Sequence, residues 1–237
     1  MMTNDFLQSQ YQYRVGKLEK ILYLFCFILL IIIYTTQLDF IIADFIYAKT
    51  FWKFQQAFWT ETILHKSIKV AVIIIYLSLF IKLLKLVKNN SNKFHIYDLF
   101  VLLLTIIISV SLVSISKRIF DSDCPWHLIR YGGDKQFFSI FNYPDSLKPS
   151  HHCFPASHAS VGFSWIALYF FFLVKNHPYK NHYLVATLVL GFSLGIAQQI
   201  RGAHFFSHDI WSLIICLSTS VFIYSKAYKG EKSNEKK

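Results

Sequence analysis

Long apolar runs separated by short polar segments form the main pattern of the chain. Each run has roughly the 20 residues that an α-helix needs to cross the hydrocarbon core of a bilayer. The runs lie at 18–36, 67–87, 97–116, 158–174, 183–203 and 208–225. The pattern predicts an all-α fold, a six-transmembrane-helix bundle with one long outer loop.

The composition fits a single membrane domain. The chain is 54% hydrophobic with a mean hydropathy of +0.41, which is too apolar for an ordinary soluble domain. We assign residues 18–225 to the membrane domain, 1–17 to a cytoplasmic N-terminal tail and 226–237 to a basic cytoplasmic tail. No small-x-small cleavage site follows the first run, so we expect it to be retained as an anchor.

The net charge of +11 raises the question of nucleic-acid binding. The Lys and Arg residues are spread over the connecting segments instead of forming one basic face on a soluble domain, which excludes that class. Most of the 24 lie on short segments that share a side with the N-terminus. Because short segments rich in Lys and Arg stay inside, both termini are expected in the cytoplasm.

The segment 117–157 is the only long connection, and connections of this length are usually functional. It contains Cys124 and Cys153, which can pair if the loop faces an oxidising compartment. We predict this disulfide, which would stabilise the fold by roughly 3–4 kcal/mol in the chain-entropy model. The other two cysteines, Cys26 and Cys216, lie within apolar runs and are interpreted as small packing residues.

Because successive spans alternate in direction, three polar residues at span ends lie on one side of the membrane. Lys117 follows the third run, His158 begins the fourth, and His204 follows the fifth. Successive spans cross in opposite directions, so these points share a side whichever side that is. Seven of the ten histidines lie there: His65, His127, His151, His152, His158, His204 and His208.

The stretch from Arg201 to Asp209 places polar groups at a membrane edge, where they require water, protein partners or a function. On a helix, the spacing of His204 and His208 would put both on one face. These residue types suit phosphoryl transfer: Lys117 and Arg201 would neutralise phosphoryl oxygens, and an imidazole can attack phosphorus or transfer a proton. The alternative to a catalytic site is a turn at the membrane interface whose polar side chains are simply hydrated.

The order and spacing of these residues resemble the type 2 phosphatidic acid phosphatase family in its six-helix membrane branch. The family motifs are K-x6-R-P, P-S-G-H and S-R-x5-H-x3-D. This chain has Lys117-x6-Cys124-Pro125, Pro155-Ala156-Ser157-His158 and Arg201-x2-His204-x3-His208-Asp209. The resemblance covers about residues 40–225.

The first motif lacks its arginine, because Cys124 occupies that position. Arg118, Arg130 and His127 are the candidates to replace the missing charge. We predict Arg130, because the two glycines that follow Tyr131 would let the side chain fold back over the site. Its planar guanidinium can also form two hydrogen bonds to one phosphate.

The other two motifs depart from the pattern by small shifts. Ser157 stands at the glycine position of the second motif. Gln198 stands at the arginine position of the third, and Arg201, three residues later, is rotated by only about 60° on a helix. His208 occupies the aspartate position and Asp209 follows it, so which of the two orients the catalytic histidine stays open.

The resemblance implies a metal-free phosphatase without a cofactor. His204 would attack phosphorus and form a phosphohistidine, with its tautomer held by Asp209 or His208. His158 would protonate the leaving oxygen. The phosphate-binding candidates are Lys117, Arg201, Arg130, Arg118 and Ser157.

A site at the outer membrane edge favours lipid phosphates or diphosphates as substrates, such as a phosphatidylglycerophosphate, a polyprenyl diphosphate or lipid A. We expect the site to face the periplasm from a bacterial inner membrane. Three alternatives stay open. They are a lipid phosphotransferase using the same intermediate, a metal-binding membrane protein, and a non-catalytic scaffold or channel.

Overall fold

The computed structural model describes residues 16–58, 62, 67–120, 122–139 and 152–228. Most of the N-terminal tail assigned to 1–17 and of the C-terminal tail assigned to 226–237 lies outside these ranges. The same is true of His65 and His151 among the histidines singled out above.

Eight α-helices, named here in chain order, account for most of the described residues. They are α1 Lys17–Thr36, α2 Leu38–Thr50, α3 Ile68–Lys88, α4 Lys93–Ile119, α5 Ser157–Phe163, α6 Ala167–Val174, α7 Lys180–Ile200 and α8 Phe206–Ala227. Short 3₁₀ turns occupy Pro125–His127, Ile129–Tyr131 and Ser164–Ile166. The described part of the chain contains no β-strand longer than an isolated bridge.

The predicted six-helix membrane fold is confirmed. Six helical segments are long and apolar enough to cross a bilayer, and α5, its following 3₁₀ turn and α6 together form the fourth of them, Ser157–Val174. The third is longer than its apolar run, because helix α4 continues through polar residues at both ends. Large apolar side chains on α1 and α3 remain exposed on the protein surface, as lipid-facing residues would be.

The fifth span ends three residues earlier than predicted, at Ile200. The chain turns at Gly202, whose φ of 76° lies in the left-handed region that glycine adopts without strain. Phe205 is extended and caps α8. His204 therefore lies in a helix break, so the spacing argument for two histidines on one helix does not apply to His204 and His208.

The ends of the bundle differ in what holds the helices together. At the end where α4 begins, Asp98 accepts a hydrogen bond from Tyr228 Oη at 2.6 Å and pairs with Lys175 Nζ at 2.8 Å. These contacts join α4 to the ends of α6 and α8. The opposite end, called the site end below, carries Lys117, Ser157 and His204.

An aromatic cap covers part of the site end. Helix α2 follows α1 almost directly, and its side chains pack with the loop after α4. The cap core consists of Ala43, Trp52, Leu128, Tyr131 and Phe205. Helix α2 is thus a short helix that packs on the loop instead of crossing the bilayer.

We expect Gly195→Val to destabilise the protein. Helices α7 and α8 approach closely here, because a Cβ atom at Gly195 would lie 2.2 Å from Asp209 Oδ2. Overpacking at a buried contact typically costs about 1–3 kcal/mol, and here it would also displace a buried carboxylate. Thermal unfolding in detergent should show a lower Tm for Gly195→Val. Val189→Ile, at an exposed position of the same helix, should leave Tm unchanged; equal values for both variants would contradict this packing.

Candidate active site

His204 lies at the centre of the polar residues at the site end and is only 4% exposed. Its Nδ1 atom is 2.6 Å from the main-chain carbonyl oxygen of Cys153. Because a carbonyl oxygen can only accept, Nδ1 carries the proton and donates it. Nε2 is therefore left with a lone pair, which is the form that a nucleophilic imidazole requires.

The surroundings of His204 also keep the ring uncharged. Burial, followed by the charges of His208, Lys117 and His158, holds its pKa well below the usual value, while the hydrogen bond to Cys153 acts in the opposite direction. A neutral imidazole is thus the dominant form at neutral pH.

His208 shares the same acceptor. Its Nδ1 atom lies 2.9 Å from the Cys153 carbonyl oxygen, and its ring centroid is 5.7 Å from that of His204. A carbonyl oxygen has two lone pairs and can accept both bonds. The two imidazoles therefore converge on one main-chain atom, although one precedes α8 and the other lies in its first turn.

Lys117 and His158 approach the same place from α4 and α5. Lys117 Nζ donates to Ser157 Oγ at 3.3 Å, across the gap between the two helices. The ring centroids of His158 and His204 are 6.1 Å apart. The structure thus brings together one residue or more from each of the three motifs.

An open cavity of about 510 Å³ lies beside Lys117. It is lined by Ser114, Lys117, Arg118, His152 and Ser157. Two cations on successive residues of α4 therefore face a space large enough for an anionic group. Arg118 belongs to this cavity, whereas Arg130 does not line it.

Arg130 lies in the aromatic cap. It makes a two-pronged ion pair with Asp44 of α2, with Nε at 2.8 Å from Oδ1 and Nη2 at 2.5 Å from Oδ2. The guanidinium lowers the pKa of the Asp44 carboxyl, and Tyr131 Oη also donates to this group. The structure therefore gives Arg130 an acidic partner outside the histidine cluster.

Arg201 is 8% exposed and lies beneath the segment that follows α2. Its Nε donates to the Gln55 carbonyl oxygen at 2.9 Å, and Nη1 donates to Gln198 Oε1 at 3.3 Å. Gln198 occupies the arginine position of the third motif, so the guanidinium of Arg201 lies beside the place where that motif has its arginine.

Asp209 is fully buried, and its carboxylate lies against α7. Its Oδ2 accepts from Gln199 Nε2 at 2.6 Å, and its Oδ1 has no hydrogen-bond partner among the described residues. Asp209 and His208 are the predicted candidates for orienting His204, but the hydrogen-bond partner of His204 Nδ1 is the Cys153 carbonyl oxygen.

Cys124 and Cys153 form a disulfide with their Cα atoms 5.2 Å apart. The Cys153 N–H also donates to the Ser122 carbonyl oxygen at 2.9 Å, so two links tie 122–124 to 152–153. Trp126 N–H donates to Gly202 O at 3.0 Å and fastens the same loop to the helix break. Within the described ranges, no three His, Cys, Asp or Glu side chains are grouped as metal ligands would be.

Comparison with known proteins supports the family resemblance. The family model described as the PAP2 superfamily matches residues 98–231, which is more than half of the chain and contains all three motifs. The chain belongs to the PAP2 superfamily. Membership implies phosphatase-type activity on phosphoesters. No curated protein and no solved structure matches the chain significantly.

The PAP2 match begins at the first turns of α4, so it covers the four helical spans that carry the site and leaves out α1 to α3. The group that the sequence did not reveal is the carbonyl of Cys153. Every residue type supplies such a carbonyl, and no motif marks it. The predicted pairing of Cys153 with Cys124 was the one available signal that this backbone is fixed near the site.

Proposed function

We propose that this PAP2 protein is a metal-independent lipid phosphate phosphatase that acts through a phosphohistidine on His204. The observation that carries the proposal is the state of His204: buried, neutral, with Nδ1 donating to a carbonyl and Nε2 left as the nucleophilic atom. His158, His208 and Lys117 surround this ring.

The other roles follow from where each side chain lies. Lys117 and Arg118 would bind the phosphoryl oxygens from the cavity on α4, with Ser157 as a further donor. His158, whose ring centroid is 6.1 Å from that of His204, would protonate the leaving oxygen. Arg201 would support the phosphoryl group from beside Gln198.

A lipid substrate is supported by the position of the cavity at the end of two spans. Ile115 and Ile119 flank Lys117 and Arg118 on α4 and are 53% and 67% exposed. A phosphorylated headgroup bound by the two cations would thus leave its acyl or prenyl chains against an apolar surface. We propose that this end faces the periplasm, following the distribution of Lys and Arg.

The proposal is tested by phosphate release from a panel of lipid phosphates and diphosphates, using purified protein in detergent micelles with EDTA present. We expect release from at least one substrate, together with an acid-labile phosphoprotein in rapid-quench samples. A phosphoprotein that transfers its phosphoryl group to an added lipid or sugar hydroxyl instead of water would identify a phosphotransferase. Activity abolished by EDTA and restored by a metal would reject the metal-independent mechanism.

We expect Arg118→Ala to raise KM more than Arg130→Ala. Arg118 lines the cavity beside Lys117, whereas Arg130 is paired with Asp44, so of these two arginines we expect Arg118 to contact a phosphoryl group bound in the cavity. Loss of a charge-assisted bond costs about 1–3 kcal/mol, or roughly a 5- to 150-fold rise in KM. Steady-state kinetics will show which arginine contributes to substrate binding, through the KM values of Arg118→Ala, Arg118→Lys, Arg130→Ala and Arg130→Lys. The sequence-based prediction for Arg130 holds if Arg130→Lys is damaging and Arg118→Lys is silent.

A further inference from the structure

The Cys124–Cys153 disulfide lies next to the atom that both imidazoles use as acceptor. Cys153 is 3% exposed, and its carbonyl oxygen accepts from His204 at 2.6 Å and from His208 at 2.9 Å. A main-chain carbonyl in a loop is a good positioning group only if the loop is fixed. The position of this peptide unit is therefore what sets the tautomer of His204.

Three links hold this peptide unit on both sides. The side chain of Cys153 is bonded to Cys124, and its N–H donates to Ser122 O. Three residues later, Ala156 N–H donates to His208 O at 3.2 Å. The disulfide is the only covalent link among the three, so it limits how far the carbonyl can move from the imidazoles.

We propose that the main-chain carbonyl of Cys153, held by the Cys124–Cys153 disulfide, is the positioning group for the nucleophile and takes the place of the carboxylate in the third motif. This inference rests on the proposed function for its catalytic meaning. Asp209 cannot fill that place, because its Oδ2 is bonded to Gln199 and it packs against Gly195 of α7.

A carbonyl differs from a carboxylate in charge. Both accept the proton on Nδ1, but a carbonyl adds no negative charge beside the ring, so it does not favour the imidazolium form as strongly. The charges that act on His204 are those of Lys117 from α4, His158 from α5 and His208 from α8, and each of them lowers its pKa. Of the carboxylates on neighbouring elements, Asp39 of α2 accepts from the Ser207 N–H and Asp209 of α8 accepts from Gln199. His204 should consequently remain neutral in mildly acidic solution.

The sign of the pH dependence follows from this. Attack on phosphorus needs the neutral ring, and the pKa of His204 is well below 6.5. The acidic limb of kcat/KM should therefore lie below pH 6.5 in the wild type. Removal of the disulfide would let the carbonyl move away and water reach the ring. Loss of the hydrogen bond to Cys153 alone would lower the pKa of His204, but burial is the largest cause of the shift, so hydration of the ring returns the pKa toward its usual value and the limb moves up toward pH 6.5.

The experiment compares wild type with Cys124→Ser, Cys153→Ser and the double variant, with Cys26→Ala as a control for loss of a buried thiol in α1. Mass spectrometry of unreduced protein first establishes the disulfide. We expect all three disulfide variants to lose about 10²-fold in kcat/KM at neutral pH, as a misplacement of about 1 Å can cause. Their acidic limbs should move upward together, and Cys26→Ala should match wild type.

A merely structural disulfide would lower the amount of folded enzyme by the same factor at every pH. Activity that falls without a change in the shape of the profile would therefore overturn the positioning role. So would disulfide variants with wild-type kcat/KM.

A second measurement needs no substrate. In wild-type protein labelled with ¹⁵N-histidine, the His204 signals, assigned by their loss in His204→Gln, should show a neutral ring with the proton on Nδ1. A proton on Nε2 would overturn the inference by itself. If the protein releases no phosphate and forms no phosphoenzyme, the proposed function fails, while this spectrum still decides where the proton of His204 lies.

Discussion

Replacing His204 with alanine should abolish phosphoenzyme formation. The substitution removes Nε2, the atom proposed as the nucleophile, from a ring that is neutral and held through Nδ1. Turnover should fall by roughly 10⁴- to 10⁶-fold, the scale seen when a covalent nucleophile is removed. The measurement is rapid-quench labelling with a ³²P-labelled lipid phosphate, followed by a test for acid lability.

His182→Ala is the matched control, because His182 is exposed near the start of α7, away from the site end. It should label and turn over as wild type does. Labelling that persists in His204→Ala would show that another residue forms the intermediate, and turnover that persists with no labelling would exclude the covalent mechanism.

Replacing His158 with alanine should slow turnover by about 10²- to 10⁴-fold while leaving phosphoenzyme formation possible. His158 approaches His204 from α5, and in the proposed role it gives its proton to the leaving oxygen. The loss should depend on the substrate. An aryl phosphate, whose leaving group needs no proton, should be cleaved by His158→Ala at nearly the wild-type rate.

That dependence separates proton transfer from packing. His158→Asn keeps a polar side chain at the start of α5 and should behave as His158→Ala does. A loss that is equal for alkyl and aryl phosphates would assign His158 to binding or to structure instead of acid catalysis.

The fold could be predicted because membrane spans leave a strong signal. The apolar runs predicted all six helical segments, and crossing parity implied that Lys117, His158 and His204 share a side. The predicted fifth span is too long because Gly202 and Ala203 look compatible with an apolar helix, whereas the helix ends at Ile200 and the chain turns at Gly202.

The site was less predictable where its geometry depends on main-chain atoms or on side-chain partners that are distant in the sequence. Asp44 lies 86 positions before Arg130 in the chain, and only the fold shows that they meet. The sequence also could not show whether His208, at the aspartate position of the third motif, or Asp209, one residue later, orients His204. In the folded chain His208 reaches the Cys153 carbonyl, while Asp209 points to Gln199 on α7.

The cavity on α4 has a kinetic consequence for the proposed lipid substrate. Lys117 and Arg118 lie at the end of a span, between exposed isoleucines, so a headgroup can reach them while its chains stay within the bilayer leaflet. Enzyme and substrate would then meet by diffusion within the plane of the membrane. The rate would follow the mole fraction of substrate in the membrane, and inert lipid added at constant bulk substrate concentration would slow the enzyme by surface dilution.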